Sequence, residues 1–258
     1  MGKNKKVSNT IKDFINPPDT LDDCLFYGLR LDEDQKNFRD SIWDREKEIV
    51  FCNARAGTGK TTIAVGTANL LVRYGIYKKI IYIMSPVQEI RQGYLPGGLS
   101  EKSAPYMQPL KDALLKIGEV PDLVIDSEDN ITGRKEGTAY IFCETHTFMR
   151  GINLEEAVVI IDEAENFYFD ELKKVLTRIC SDTSKVIVIG HDGQCDLYKH
   201  PERSGFVPYL NAFRDSNDSR VGICKLEKNY RGWVSNFADS VYFNDYSRKG
   251  KDNEHEES

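Results

Sequence analysis

Ala54-Arg55-Ala56-Gly57-Thr58-Gly59-Lys60-Thr61 follows the apolar run at residues 49–52 and precedes a helical pattern that begins at Thr62. This is the Walker A pattern with alanine at the position of its usual first glycine. Glycine at 57 and 59 permits backbone geometry that a Cβ forbids, so successive N–H groups can surround one phosphate at a helix N-terminus. The pattern assigns Ala54, Arg55, Ala56, Gly57, Thr58, Gly59, Lys60, Thr61 and Thr62 to phosphate contact. Lys60 is expected at the β- and γ-phosphates, and the Thr61 hydroxyl on Mg²⁺. Strand, loop and helix in this order predict a nucleoside triphosphate site.

Downstream, the apolar residues 158–161 end in Asp162-Glu163, the form of a Walker B strand. It delivers two carboxylates to the carboxyl edge of a sheet beside the phosphate loop. Asp162 is expected to hold Mg²⁺, directly or through water, and Glu163 to orient or deprotonate an attacking water. Such a strand on its own often marks only a helix start; its pairing with Walker A gives it meaning.

Three further residues have a chemical reading and a plain one. Gln194, in Gly190-His191-Asp192-Gly193-Gln194 after the next apolar strand, suits a sensor of the γ-phosphate and the attacking water; the segment also reads as a polar turn. The Gln35 amide both donates and accepts, as the adenine edge requires, or it is a solvated helix residue. Arg231, in Leu226-Glu227-Lys228-Asn229-Tyr230-Arg231, can neutralise charge on a transferred phosphoryl group, within its own subunit or on a neighbour's nucleotide, or form a surface salt bridge.

Apolar runs recur at residues 80–84, 139–143, 186–189 and 221–224, with helical patterns at 62–73, 109–117 and 170–180 between them. In the last, Leu172, Val175, Leu176 and Ile179 share one face. An earlier helix opens at Asp32, a candidate N-cap, and runs through Ile42 and Trp43. Near-continuous apolar strands separated by helices predict an α/β fold, a parallel sheet flanked by helices on both faces. Residues 87–104 are too long for a plain turn and read as a functional loop.

The 258 residues, 40% hydrophobic and 29% charged, suffice for one domain with an unstapled core. The expected organisation is a flexible lead-in at 1–20, a single domain at 21–246 and a disordered polar tail at 247–258. No apolar stretch is long enough to span a bilayer, and the Lys-rich start leads into no signal peptide, so a cytoplasmic protein is expected. Six dispersed cysteines without a C-x-x-C pair indicate neither a disulfide framework nor a zinc ribbon, and His191, Cys195 and His200 match no metal-ligand spacing. A net charge of -6 counts against a broad nucleic-acid-binding field and leaves room for a local basic groove.

Taken together, these segments resemble the PhoH-like ATPases, a family with a RecA-like core related to superfamily-one helicases. The likeness runs over residues 31–242. Beyond the phosphate loop it includes Gly93-Tyr94-Leu95-Pro96-Gly97-Gly98-Leu99-Ser100-Glu101-Lys102, then Met149-Arg150-Gly151, Asp162-Glu163-Ala164-Glu165-Asn166, and Gly190-His191-Asp192-Gly193-Gln194-Cys195-Asp196-Leu197. Ala54 and Arg55 replace Gly-Pro, Ser85 stands where an Arg usually precedes the proline, and His191 replaces an Asp. Asn229-Tyr230-Arg231 looks more like the arginine motif of the helicases. The resemblance implies a single RecA-like P-loop NTPase domain that hydrolyses ATP with Mg²⁺, coupled to RNA or single-stranded DNA. It also implies a homo-oligomeric ring, with a hexamer as the expected size. Arg150 and groups on the loop 91–102, including Tyr94 for base stacking, are candidates to meet the strand; Tyr94 reads equally as a residue that packs the loop. The rivals are a nucleotide-switched interaction protein and a small-molecule phosphotransferase. Glu163 argues against the switch, which has little use for a carboxylate beside the attacking water.

Overall fold

The computed structural model describes residues 16–22, 24–85, 107–127, 133–134, 137–145, 154–193, 201–239 and 241. Its six strands are β1 (Ile49–Ala54), β2 (Lys79–Met84), β3 (Ile141–Thr145), β4 (Ala157–Ile161), β5 (Lys185–Gly190) and β6 (Val221–Leu226). They form one sheet in the order β3-β2-β4-β5-β1-β6, and every pairing is parallel. Parallel neighbours need crossovers, so the sheet is wrapped on both faces, as the apolar runs predict.

Residue alternation along the strands sorts the core into two layers. Val50, Cys52, Ile80, Tyr82, Val158, Ile160, Ile187 and Ile189 face helices α1 (Glu33–Trp43) and α2 (Lys60–Arg73) and the helix Gln108–Lys116. Phe51, Ile81, Ile83, Val159, Ile161, Val186 and Val188 face the helices Phe169–Leu176 and Phe206–Asp215. Helix α2 is buried along nearly its whole length. A polar staple fixes it there: the Asn69 amide donates to the Tyr27 hydroxyl at 2.9 Å and to Glu119 at 3.0 Å, and accepts from Tyr140. Arg73 closes the staple with a 2.7 Å bond to Glu119. The phosphate loop at the head of α2 therefore stands on a buried, hydrogen-bonded helix.

Three of the departures of element boundaries from the sequence expectation have a visible cause. Helix α2 starts at Lys60, two positions before Thr62, because Gly59 already accepts from Ile63 N–H at 3.0 Å. Strand β3 starts at Ile141 and not 139, because Thr138 and Ala139 donate to the Gly133 carbonyl and stay in a turn. The helix expected at 170–180 is Phe169–Leu176; Leu172 and Val175 are buried, while Leu176 and Ile179 only border the core. No helix among the described residues is long and apolar enough to cross a membrane.

Candidate nucleotide site

Strand β1 delivers the chain at the carboxyl edge of the sheet, where residues 55–59 turn it into α2. Gly57 and Gly59 take positive φ values of 76° and 82°, the region in which glycine is strain-free. A Cβ on Gly57 would lie 2.3 Å from Asn229 Oδ1 and 2.9 Å from Arg231 Cγ, so this position excludes a side chain on both counts. The Thr58 hydroxyl donates to the Arg55 carbonyl at 2.9 Å and pins the loop on itself. Gly59 occupies the N-cap of α2 with no side-chain cap, and the first turn carries no acidic residue. An anion is the natural partner for such a helix start.

Asp162 leaves β4 at the same edge, with β5 lying between its strand and β1. Its carboxylate is 2% exposed and held from three sides. The Thr61 hydroxyl donates to Oδ2 at 2.9 Å, although the two residues are 101 positions apart. The Tyr82 hydroxyl donates to the same oxygen at 2.5 Å, and Glu163 N–H donates to Oδ1 at 2.9 Å. Burial and the adjacent Asp162 charge keep the Tyr82 phenol far above its ordinary pKa, so it stays a donor. A hydroxyl and a carboxylate in contact are hard oxygen donors, which suits Mg²⁺ shared with phosphate oxygens. Among the described residues no cluster of three or more His, Cys, Asp or Glu forms a self-contained metal cage.

Glu163 has φ 52°, an uncommon conformation for a residue with a Cβ. Its side chain is exposed and accepts from Asn166 Nδ2 at 3.4 Å. The turn Ala164–Asn166 that follows is held by the Ser85 hydroxyl, which donates to the Asn166 carbonyl at 2.8 Å. Ser85, a departure from the family pattern, thus braces the turn carrying Glu163. Glu165 points inward, and burial raises its carboxyl pKa to about 8, with Lys60 pulling it down and Glu163 and Asp162 pushing it up. Lys60 Nζ lies 3.5 Å from the Ala54 carbonyl, too long for a firm hydrogen bond.

Gln35 is 7% exposed, which overturns the reading of a solvated helix residue. Its Nε2 donates to the Thr58 carbonyl at 2.8 Å and its Oε1 accepts from Asp32 N–H at 3.1 Å, so the amide braces the phosphate loop. Arg231 is brought to the same loop from the end of β6. Tyr230 N–H donates to the Gly57 carbonyl at 2.9 Å, and Arg231 N–H to Asn229 Oδ1 at 2.8 Å. At the β5 end, Asp192 N–H donates to Asn53 Oδ1 at 3.2 Å, which seats residues 190–193 beside the phosphate loop. Gln194 lies outside the described residues, as do Cys195, His200, Met149-Arg150-Gly151 and the loop containing Tyr94.

The structure therefore brings together Gln35, residues 54–62, Asp162, Glu163 and Arg231. It adds Tyr82, which sequence reading did not single out, and gives Asp32, Ser85 and Tyr230 contacts at the site that sequence reading did not assign them. A tyrosine inside the otherwise aliphatic run 80–84 was the one available signal for Tyr82.

Residues 30–236 match a family described as PhoH-like protein. The chain is 31% identical to the protein PhoH2 of Bacillus subtilis over 229 residues, covering 84% of this chain and 48% of that protein. It is 33% identical to the protein PhoH of Escherichia coli K12 over 184 residues, covering 70% of this chain and 49% of that protein. The chain spans about half the length of these relatives. Among solved structures, the large terminase of bacteriophage HK97 aligns with 80% of this chain and 41% of its own, at TM-score 0.49 and 14% identity. A Bacteroides Pif1 in complex with ADP-AlF4 aligns with 82% of this chain and 45% of its own, at TM-score 0.38 and 17% identity.

Proposed function

Because this chain belongs to the PhoH-like protein family, we propose that it is a Mg²⁺-dependent ATP hydrolase whose turnover is coupled to RNA or single-stranded DNA. The observation that carries this reading is the 2.9 Å contact between the Thr61 hydroxyl and the Asp162 carboxylate at the head of the phosphate loop. It unites the two halves of a metal-triphosphate site that are remote in sequence.

The backbone N–H groups at the start of α2, with the Lys60 ammonium, bind and orient the phosphates. Thr61 and Asp162 would hold Mg²⁺, which would supply screening of the charge on the phosphate oxygens. Glu163 accepts a proton from the attacking water as its oxygen bonds to the γ-phosphorus and the bond to the β–γ bridging oxygen breaks, leaving ADP and phosphate. Arg231 neutralises charge on the transferred group from within its own subunit, since its side chain rests against Gly57 of the same chain. Gln35 has one N–H and one acceptor lone pair beyond its two protein bonds, the pair that adenine takes. Gln194 is proposed as the γ-phosphate sensor.

A surface beside the site supports the nucleic-acid partner. Trp233 is 75% exposed and its ring stacks on Phe237 at 5.4 Å and 21°. Bases of a single strand stack on rings presented in this way. The ring assembly implied by family membership would place such surfaces side by side. Phosphate release from ATP, measured with and without Mg²⁺ and with RNA, single-stranded DNA or neither, tests the whole reading. Metal-dependent release without an added acceptor, stimulated by a single strand, is the expected result. Release that requires a small acceptor would move the protein to the phosphotransferases, and tight ATP binding without release would make it a switch.

A further inference from the structure

Arg231 reaches the phosphate loop on residues 227–232, a stretch with no regular secondary structure between β6 and the helix Trp233–Asp239. Such a stretch has many conformations, and an arginine that must meet a transferring phosphoryl group needs one. We infer that Asp32 and Tyr230 are positioning residues that latch this stretch onto its own subunit's phosphate loop and so set the arginine in cis; the inference rests on the role proposed above for Arg231.

The latch is a closed circuit of hydrogen bonds. The Tyr230 hydroxyl donates to Asp32 Oδ2 at 2.5 Å across 198 positions of sequence. Asp32 Oδ1 accepts from Gln35 N–H at 2.8 Å, which fixes the carboxylate as the cap of α1. The Gln35 side chain crosses to the Thr58 carbonyl at 2.8 Å, and Tyr230 N–H returns to the neighbouring Gly57 carbonyl at 2.9 Å. Phosphate loop, helix cap and arginine-bearing segment are thus tied in one ring, and Arg231 is the next residue along the chain. The Lys228 ammonium sits 4.9 Å from the Tyr230 ring centre and adds a cation–π contact to the same arrangement.

The bond from Tyr230 to Asp32 is of the strong, charge-assisted kind. Tyr230 is 50% exposed, so the bond lies at the surface and removing it leaves the core untouched. Its value is geometric, since small misplacements of a group that acts on the transition state are costly in rate.

Tyr230→Phe keeps the ring and deletes the hydroxyl. It should lower kcat about 10-fold with KM within about 2-fold of wild type, because an interaction made in the transition state is lost and ground-state binding is kept. Asp32→Asn keeps a capping side chain and an acceptor but removes the charge, and should give a smaller loss in the same direction. The decisive comparison is a double-mutant cycle: Tyr230→Phe combined with Arg231→Ala should be no slower than Arg231→Ala alone, since the latch acts only through the arginine. Thermal melts check that all variants remain folded. A Tyr230→Phe enzyme at the wild-type rate, or one whose loss multiplies in full with that of Arg231→Ala, overturns the latch. An Arg231→Ala enzyme at the wild-type rate removes the arginine's role itself, whereas a slow Arg231→Ala beside a fast Tyr230→Phe removes the latch alone.

Discussion

Helix α1 begins on Asp32, whose carboxylate caps Gln35 N–H while the Gln35 side chain returns to the Asp32 backbone, with Glu33 and Asp34 in the first turn. Helix α2 begins on Gly59, with neither a side-chain cap nor an acidic residue in its first turn. The chain has closed one helix start with its own carboxylates and left the other for an anion from outside. A glycine at the N-cap in place of a capping side chain costs only about a few tenths of a kcal/mol, a small deficit that a bound phosphate would more than offset. The two starts are joined by the Gln35 side chain on the Thr58 carbonyl, so the satisfied helix supports the open one. The far end of α1 is closed as well: buried Lys185 donates to the carbonyls of Asp44, the C-cap of this helix, and of Lys47.

The contrast breaks most visibly if Lys60, the positive side chain at the head of α2, is removed. Lys60→Ala should lower ATP turnover by about 100-fold or more, the scale for losing a charge aimed at developing anionic oxygens. Steady-state phosphate release measures it, and a near-normal rate would mean that the open start of α2 does not act on a triphosphate. The assignment of Arg231 to its own subunit sharpens the same test. Mixed oligomers of Lys60→Ala and Arg231→Ala subunits should show no recovery of activity; recovery would put the arginine on a neighbour's nucleotide.

Gly57→Ala attacks the loop without touching charge. Positive φ and the 2.3 Å approach to Asn229 Oδ1 together should cost about 2 kcal/mol of stability and displace the segment carrying Arg231. Chemical denaturation gives the first effect and turnover the second; an unchanged enzyme would show that the segment does not rest on the loop.

The closed helix has a pH signature. Burial lowers the Lys185 pKa from 10.5 to about 8, so between these values the unfolded chain holds a proton that the folded chain has released. Stability contributed by this group therefore rises with pH from about 8 to 10.5 and is flat below, by an amount on the order of 3 kcal/mol. Denaturant midpoints across that window should show the rise in the wild type and its loss in Lys185→Met. The smallest effect is expected at the cap itself: Asp32→Ala should cost about 1 kcal/mol of stability, read as a modest fall in Tm.

Much of this contrast was legible in the sequence because it is local. Gly57, Gly59, Lys60 and Thr61 fall within a few residues, and Asp32 stands next to the acidic turn it opens. The strands were visible as apolar runs because a parallel sheet buries both faces of its inner strands, while β6 at the edge is only partly covered. What could not be read depends on contacts between remote segments. Nothing near Tyr230 shows that its hydroxyl meets Asp32, and nothing near Tyr82 shows that it holds Asp162. Ser85 read as a departure from a family pattern, yet it secures the turn that carries Glu163. Lys185 lies just before the apolar run 186–189 and drew no reading from the sequence; only the fold reveals that it is buried under the end of α1. Gln35 is the intermediate case: its position invited an adenine contact, while its grip on Thr58 needed the structure.

The most direct test of the account is a paired measurement on Glu163→Gln, ATP affinity by equilibrium titration and phosphate release with Mg²⁺ present. The account predicts affinity close to wild type and release slowed by about 100-fold or more, because the amide cannot take the proton of the attacking water. Release at the wild-type rate would contradict it and take Glu163 out of the chemistry.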